Sequence, residues 1–150
     1  MDQISIKRAL PTDSADIAVL YQEGEWWESS WDMGLIKDII TCSYLFLTAV
    51  QNEVVVGMGR IISDGVSDAY LQDIFVTESM RGRGIGTNLV SALLDACRDA
   101  GIGWIGIIAA PETEYFYRRF GFARMGGFTS MRYEGRLKSL DPVSHANKTH

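Results

Sequence analysis

Cysteine, histidine and proline are scarce in this 150-residue chain, at two, two and three copies. Cys42 and Cys97 are too few and too far apart to read as a metal framework, and both are expected to be buried, reduced thiols. His145 and His150 lie in a polar C-terminal stretch, which leaves no histidine-based triad and no metal site to expect. No apolar run reaches about 18 residues, so no membrane-spanning segment is expected. The first residues, Met1 to Lys7, lack the basic-then-apolar order of a secretion signal, and a cytoplasmic location is the expectation. Positive charge is also in deficit. Nineteen acidic against fourteen basic residues give a net charge of -5, which argues against a nucleic-acid partner and is compatible with a cationic amine.

What is present is ordinary globular material, 47% hydrophobic and 22% charged, at a length that suits one domain with a real core. Ile4 to Leu10 alternates like a strand, and Pro11-Thr12-Asp13 breaks it and opens a helix through Ile17, Ala18, Leu20 and Tyr21. Glu23 to Gly34 has no clean period but is rich in tryptophan and carboxylates. A short helix is expected over Leu35 to Thr41. Tyr44–Val50 and Val54–Ile62 read as a hairpin, with Cys42 near its start, and Ala69–Val76 as a further strand. A helix follows from about Gly86 to Ala100, stopped by Gly101. Trp104–Ala109 is apolar throughout, as in a strand covered on both faces. A helix from Pro111 to Phe120 and two short strands around Gly126-Gly127 complete an α/β domain with a mixed sheet.

The most informative segment is Arg81-Gly82-Arg83-Gly84-Ile85-Gly86, between a strand and an amphipathic helix. Glycines at alternate positions let backbone N–H groups converge, and the start of the next helix adds free amides and a favourable dipole for an anion. Two arginines add charge, so a pyrophosphate is the natural occupant. A dinucleotide-binding fingerprint would need glycine where Thr87 or Leu89 stands, and the Gly-Lys-Ser/Thr of a Walker loop is absent.

Val76, followed by Arg81, Gly84 and Gly86, resembles the coenzyme-binding signature of the GNAT superfamily of acyl-CoA N-acyltransferases. Phe116-Tyr117-Arg118-Arg119-Phe120-Gly121-Phe122 is similar to a second element of that family. The chain departs from the family pattern at Glu78, where proline is common, and at Pro111 and Glu114, where many members carry Asn and Ala. The resemblance implies a mixed, mostly antiparallel central sheet of about seven strands flanked by about four helices, over residues 1–134, with 135–150 as a polar tail. It implies acetyl-CoA as cosubstrate, held by Arg81, Gly82, Arg83, Gly84, Ile85, Gly86 and Thr87, with its pantetheine arm on the backbone of Ile74, Phe75 and Val76.

Direct transfer to an amine in a ternary complex is implied, without a covalent intermediate. Tyr117 is the candidate general acid for the departing thiolate, since a phenol of pKa about 10 stays protonated at neutral pH. The competing reading makes it one more core aromatic beside Tyr115, Phe116 and Phe120. Asp73, a carboxylate in the apolar stretch Leu71–Val76, is the candidate base or relay; the alternative is a carboxylate tied to backbone or to an arginine. Glu25, Glu28 and Glu112 stand in reserve. Glu25, Trp26 and Trp27, with Trp31, occupy the segment that would overhang a small-molecule amine acceptor, or else cap the core or form a homodimer face. A peptide or protein N-acetyltransferase and a non-catalytic acyl-CoA-binding regulatory domain are the other two readings.

Overall fold

The computed structural model describes residues 3–135, and the C-terminal stretch expected to be a polar tail lies almost wholly outside the described residues, as do His145 and His150. Two compact units make up the chain, one ending at Ile107 and the other beginning at Ile108.

The first unit is built on a five-stranded sheet in the simple order β1 (Ser5–Arg8), β2 (Leu45–Gln51), β3 (Val54–Ser63), β4 (Asp68–Val76), β5 (Trp104–Ile107). All neighbours are antiparallel except β4 and β5. The β2–β3 turn is made by Asn52 and Glu53, both at positive φ, the conformation that matches a two-residue hairpin to strand twist. Helices α1 (Ser14–Glu23) and α2 (Met33–Cys42) precede β2, and α3 (Ile85–Asp99) joins β4 to β5.

Side chains on β3 alternate between two layers, because successive Cβ atoms point to opposite faces. Met58 joins Ile17, Leu20, Tyr21, Ile36 and Ile40 in a cluster that seats α1 and α2 on one face. Gly57 and Gly59 face the other way. A Cβ on Gly57 would stand 3.2 Å from Leu89 Cδ1, and one on Gly59 would stand 3.0 Å from Leu93 Cδ1. The missing methyls let α3 lie close on the sheet. Its buried residues Ile85, Leu89, Val90, Leu93, Leu94 and Cys97 repeat at helical spacing. Each such side chain contributes about 1.5–3 kcal/mol by leaving water.

Three expectations are corrected. Cys42 ends α2 and is exposed, whereas Cys97 is buried on α3. The Trp104–Ala109 run is shorter and less enclosed than its composition predicts. Among the described residues β5 pairs with β4 alone, and Trp104 is 38% exposed, its ring edge-on to Tyr70.

The second unit holds a single short helix among the described residues, α4 (Glu114–Arg118), narrower than the Pro111–Phe120 span expected. The two closing strands expected around Gly126-Gly127 are not formed among the described residues. Residues 122–135 are irregular, with one turn bond from Phe128 N–H to Met125 C=O at 3.2 Å, and Phe128, Met131 and Tyr133 are exposed. Two short strands paired only with each other are marginal in water. The bound Glu114 carboxylate instead organises this region, accepting from Arg118 at 2.6 Å and from Arg124 at 2.5 Å.

Candidate active site

The glycine-rich turn follows β4 through a single 3-10 turn, Glu78–Met80. Gly82 and Gly84 have φ of 75° and 78°, the left-handed region in which a Cβ is strained. A Cβ built on either would meet nothing within 4 Å, so crowding by the protein does not explain the glycines. The left-handed backbone does, and the space a methyl would fill is open. Gly84 is also the N-cap of α3, and having no side chain it supplies no cap. The opening amides of a helix lack i−4 carbonyls and, uncapped, favour an anion in front of them. This geometry fits a pyrophosphate.

Arg81 is held rather than loose. Its Nε donates to the Val76 carbonyl at 2.9 Å, and its guanidinium carbon lies 5.3 Å from the centre of the Phe75 ring. Glu23, at the end of α1, fixes the same connection from the other side. Its carboxylate accepts from Thr77 Oγ1 at 2.6 Å and from the Glu78 amide at 2.9 Å. Those two bonds hold the Glu23 carboxyl below the usual carboxylate range.

β4 and β5 pair only from Asp68–Trp104 to Leu71–Ile107. Beyond Leu71, no strand among the described residues lies against that side of β4, while Phe75 and Val76 remain paired to Met58 and Gly57 on the other. That side of β4 is open to an extended ligand beside Ile74, while the Val76 carbonyl is taken by Arg81 and the Phe75 carbonyl faces Gly57 of β3; all three residues are half-buried.

Asp73 lies just before that edge, 2% exposed and at φ 54°. Its Oδ2 accepts from Arg60 Nε at 2.7 Å and from the Tyr21 hydroxyl at 2.8 Å. Burial, and next the Asp73 charge, raise the Tyr21 hydroxyl well above the ordinary phenol range, so it stays a donor. A base must reach the proton that it takes. With no exposed side-chain surface and one oxygen committed to two donors, Asp73 fits the alternative of a carboxylate tied to an arginine. Arg60 and Tyr21 were not marked by sequence reasoning. A charge within Val54–Ser63 was the one available signal for Arg60; Tyr21 gave none.

The tryptophan segment packs on the α1–α2 cluster with Trp26, Trp27 and Trp31 partly buried. Trp26 stands edge-on to Tyr21 at 6.2 Å and to Phe75 at 5.7 Å, and Trp27 to Trp31 at 6.0 Å. Trp26 therefore joins β4 to this segment. Glu25 is exposed at φ 60°, and Glu28 has one carboxylate oxygen buried without a hydrogen-bond partner.

In the second unit, Tyr117 is 8% exposed, edge-on to Phe116 at 5.0 Å and to Phe122 at 6.0 Å. Burial alone pushes its hydroxyl up to about 12. Tyr115, two residues earlier, is 80% exposed. Glu112 has φ of 66°.

The acetyltransferase (GNAT) domain family model matches residues 22–133, which takes in the tryptophan segment, the glycine-rich turn and Tyr117. This chain belongs to the GNAT family. Among curated relatives, it is 27% identical over 93 residues to an uncharacterized N-acetyltransferase, ycf52, of Pyropia yezoensis, covering 59% of this chain and 53% of that one. It is 35% identical over 68 residues to a chloroplastic serotonin N-acetyltransferase 2 of Oryza sativa subsp. japonica, covering 45% and 34%. The chain thus matches about half the length of the first relative and a third of the second. The GNAT fold recurs in a probable acetyltransferase from meticillin-resistant Staphylococcus aureus, at TM-score 0.75 and 19% identity over 89% of this chain and all (100%) of that one. It recurs again in aminoglycoside N-acetyltransferase AAC(6')-Iy, solved with CoA, at TM-score 0.74 and 17% identity over 91% and 97%. No helix among the described residues is long and apolar enough to cross a membrane.

Proposed function

We propose that this GNAT domain moves an acetyl group from acetyl-CoA to a primary amine of a small molecule, by direct transfer in a ternary complex. The observation that carries this reading is the uncapped, positive-φ turn at Gly82–Gly84 placed next to the open edge of β4. A turn that leaves helix-start amides uncapped and a strand edge with no described strand against it, a few residues apart, suit the two ends of an acyl-pantetheine nucleotide. Gly82, Arg83, Gly84, Ile85, Gly86 and Thr87 would hold the pyrophosphate, with Arg81 fixing the turn. Ile74, Phe75 and Val76 would pair with the pantetheine arm, and an N–H from that stretch would stabilise the oxyanion.

Tyr117 supplies the proton to the leaving thiolate. Burial keeps its hydroxyl protonated across the working pH range, and a phenol can donate to a thiolate whose conjugate pKa is about 8.5. Asp73 does not meet the acceptor in this reading. The acceptor ammonium, pKa about 10.4 when alkyl, loses its proton to water or to a carboxylate of the tryptophan segment. Glu28 is the better placed for that, because its buried oxygen lacks the donor that an amine would bring. Trp27 and Trp31 offer aromatic surface for a cationic or aromatic amine. One relative is named a serotonin N-acetyltransferase, an enzyme for a primary alkyl amine carried on an aromatic ring, which supports the class rather than the compound.

Free-thiol release from acetyl-CoA, read against a panel of aromatic amines, polyamines and amino sugars and a parallel panel of peptides, tests this. Acceleration by members of the small-amine panel is expected. Acceleration by peptides alone would move the assignment to a peptide N-acetyltransferase, and acceleration by no acceptor would reduce the domain to an acyl-CoA-binding module.

A further inference from the structure

β4 carries one residue more than β3 needs. Phe75 lies opposite Met58 and Gln72 opposite Arg60, so Asp73 and Ile74 together face Gly59 alone. This is a β-bulge, and its first residue holds the left-handed backbone that glycine usually takes. Gly59 makes room for it: a Cβ there would lie 3.2 Å from Ile74 Cγ1. Beyond the bulge the inside–outside parity of β4 is reversed relative to a regular strand. That reversal puts the Phe75 ring against Trp26 and under Arg81.

Asp73 is therefore the residue at which the register of Ile74, Phe75 and Val76 is decided, and its side chain is gripped from two other elements. Arg60 reaches it from β3, with its guanidinium also donating to Ser43 Oγ at the end of α2 at 3.4 Å. Tyr21 reaches it from α1, its own ring fixed edge-on by Trp26 and Trp31. A buried ion pair with an added hydroxyl donor constrains geometry more than it stabilises the fold. We propose that Arg60 and Tyr21 are positioning residues that act through Asp73, holding the β4 bulge in the form that aims the donor-binding edge at the thioester. The inference rests on the donor reading of β4 given above and adds to it a buried device outside the ligand contacts.

Tyr21→Phe removes one hydroxyl and keeps the ring packing, and Arg60→Lys keeps the charge while losing the fixed Nε geometry. Both are compared with Asp73→Asn and with the Tyr21→Phe/Asp73→Asn double variant. The expected result is a fall in kcat of about tenfold or more for Tyr21→Phe, with coenzyme A affinity by calorimetry within about threefold of wild type, because the turn that holds the pyrophosphate is untouched. The double variant should lose no more than Asp73→Asn alone, since both act on one oxygen. Amide nitrogen–proton shifts of Ile74, Phe75 and Val76 in the free protein should move in each single variant. Unmoved amides, an unchanged kcat, or coenzyme affinity falling in step with kcat would each overturn the proposal. Wild-type protein that binds no coenzyme A would remove the donor reading instead, and the amide shifts would then decide the clamp without it.

Discussion

A single hydroxyl carries the sharpest residue-scale consequence. Tyr117 is buried, and its pKa is raised by that burial to about 12, so the neutral form persists well past the ordinary phenol value. In the proposed role the rate should go on rising with pH up to about pH 10 as the amine deprotonates, with no alkaline decline from loss of the acid. Tyr117→Phe should cut kcat by about 100-fold or more while leaving coenzyme A affinity unchanged. A kcat within a few-fold of wild type would return Tyr117 to the core aromatics. Stability has its own sign. A folded pKa above the unfolded value of 10.0 means that the protonated ring's contribution is complete below pH 10 and is lost as pH rises toward 12.

Asp73 shows what a residue can and cannot announce from sequence. A carboxylate in an apolar strand demands a reason, and an arginine partner was one of the two readings; which arginine, and the added tyrosine, were not legible, because they lie 13 and 52 positions away. Only the packing of α1 on the sheet brings Tyr21 to it.

At the scale of elements, the β4–α3 connection depends on a carboxylate from another helix. Glu23 ends α1, and its bonds to Thr77 and Glu78 fix where the chain turns toward Arg81. Because those bonds lower its pKa from the ordinary 4.5, the stability they provide is present above that value and is lost as pH falls through the depressed one. Acid unfolding of Glu23→Gln, followed beside wild type by circular dichroism, should therefore show a shallower loss of stability below pH 4.5. Parallel acid limbs would mean that the contact contributes nothing measurable. The variant should also bind coenzyme A a few-fold more weakly at neutral pH, since the turn is less firmly held.

Periodicity and glycine placement made most elements readable. α3 was expected from about Gly86 and begins at Ile85, and the hairpin of β2 and β3 lies where its turn residues put it. The errors came where local pattern depends on a distant neighbour. Trp104–Ala109 looked like a covered strand because apolar composition does not report which strand has only one partner. The Gly126-Gly127 turn suggested two short strands around it, yet a strand exists only where a ladder satisfies its backbone. The bulge at Asp73 was also invisible, since its signal is a register mismatch between two strands.

For the molecule as a whole, the family and the form of the glycine-rich turn were legible in the sequence, and an acceptor was not. Arg81–Gly86 can be read directly because three glycines and a helix start have few physical uses in that order. The tryptophan segment cannot, because the same rings serve equally as a core cap, and the structure shows Trp26 doing that. Membership of the GNAT family fixes the fold and leaves the amine to experiment. The central claim concerns the donor, that the Gly82–Gly84 turn binds a pyrophosphate beside an open strand edge. Calorimetric titration of the wild-type protein with coenzyme A and with pantetheine, which shares the arm but lacks the pyrophosphate and the phosphoadenosine beyond it, tests it most directly, with free 3′-phosphoadenosine as the control for that end. Coenzyme A should bind about 100-fold or more tightly than pantetheine, roughly 2.7 kcal/mol in binding free energy. Equal affinities for the two, or no binding of either, would contradict it.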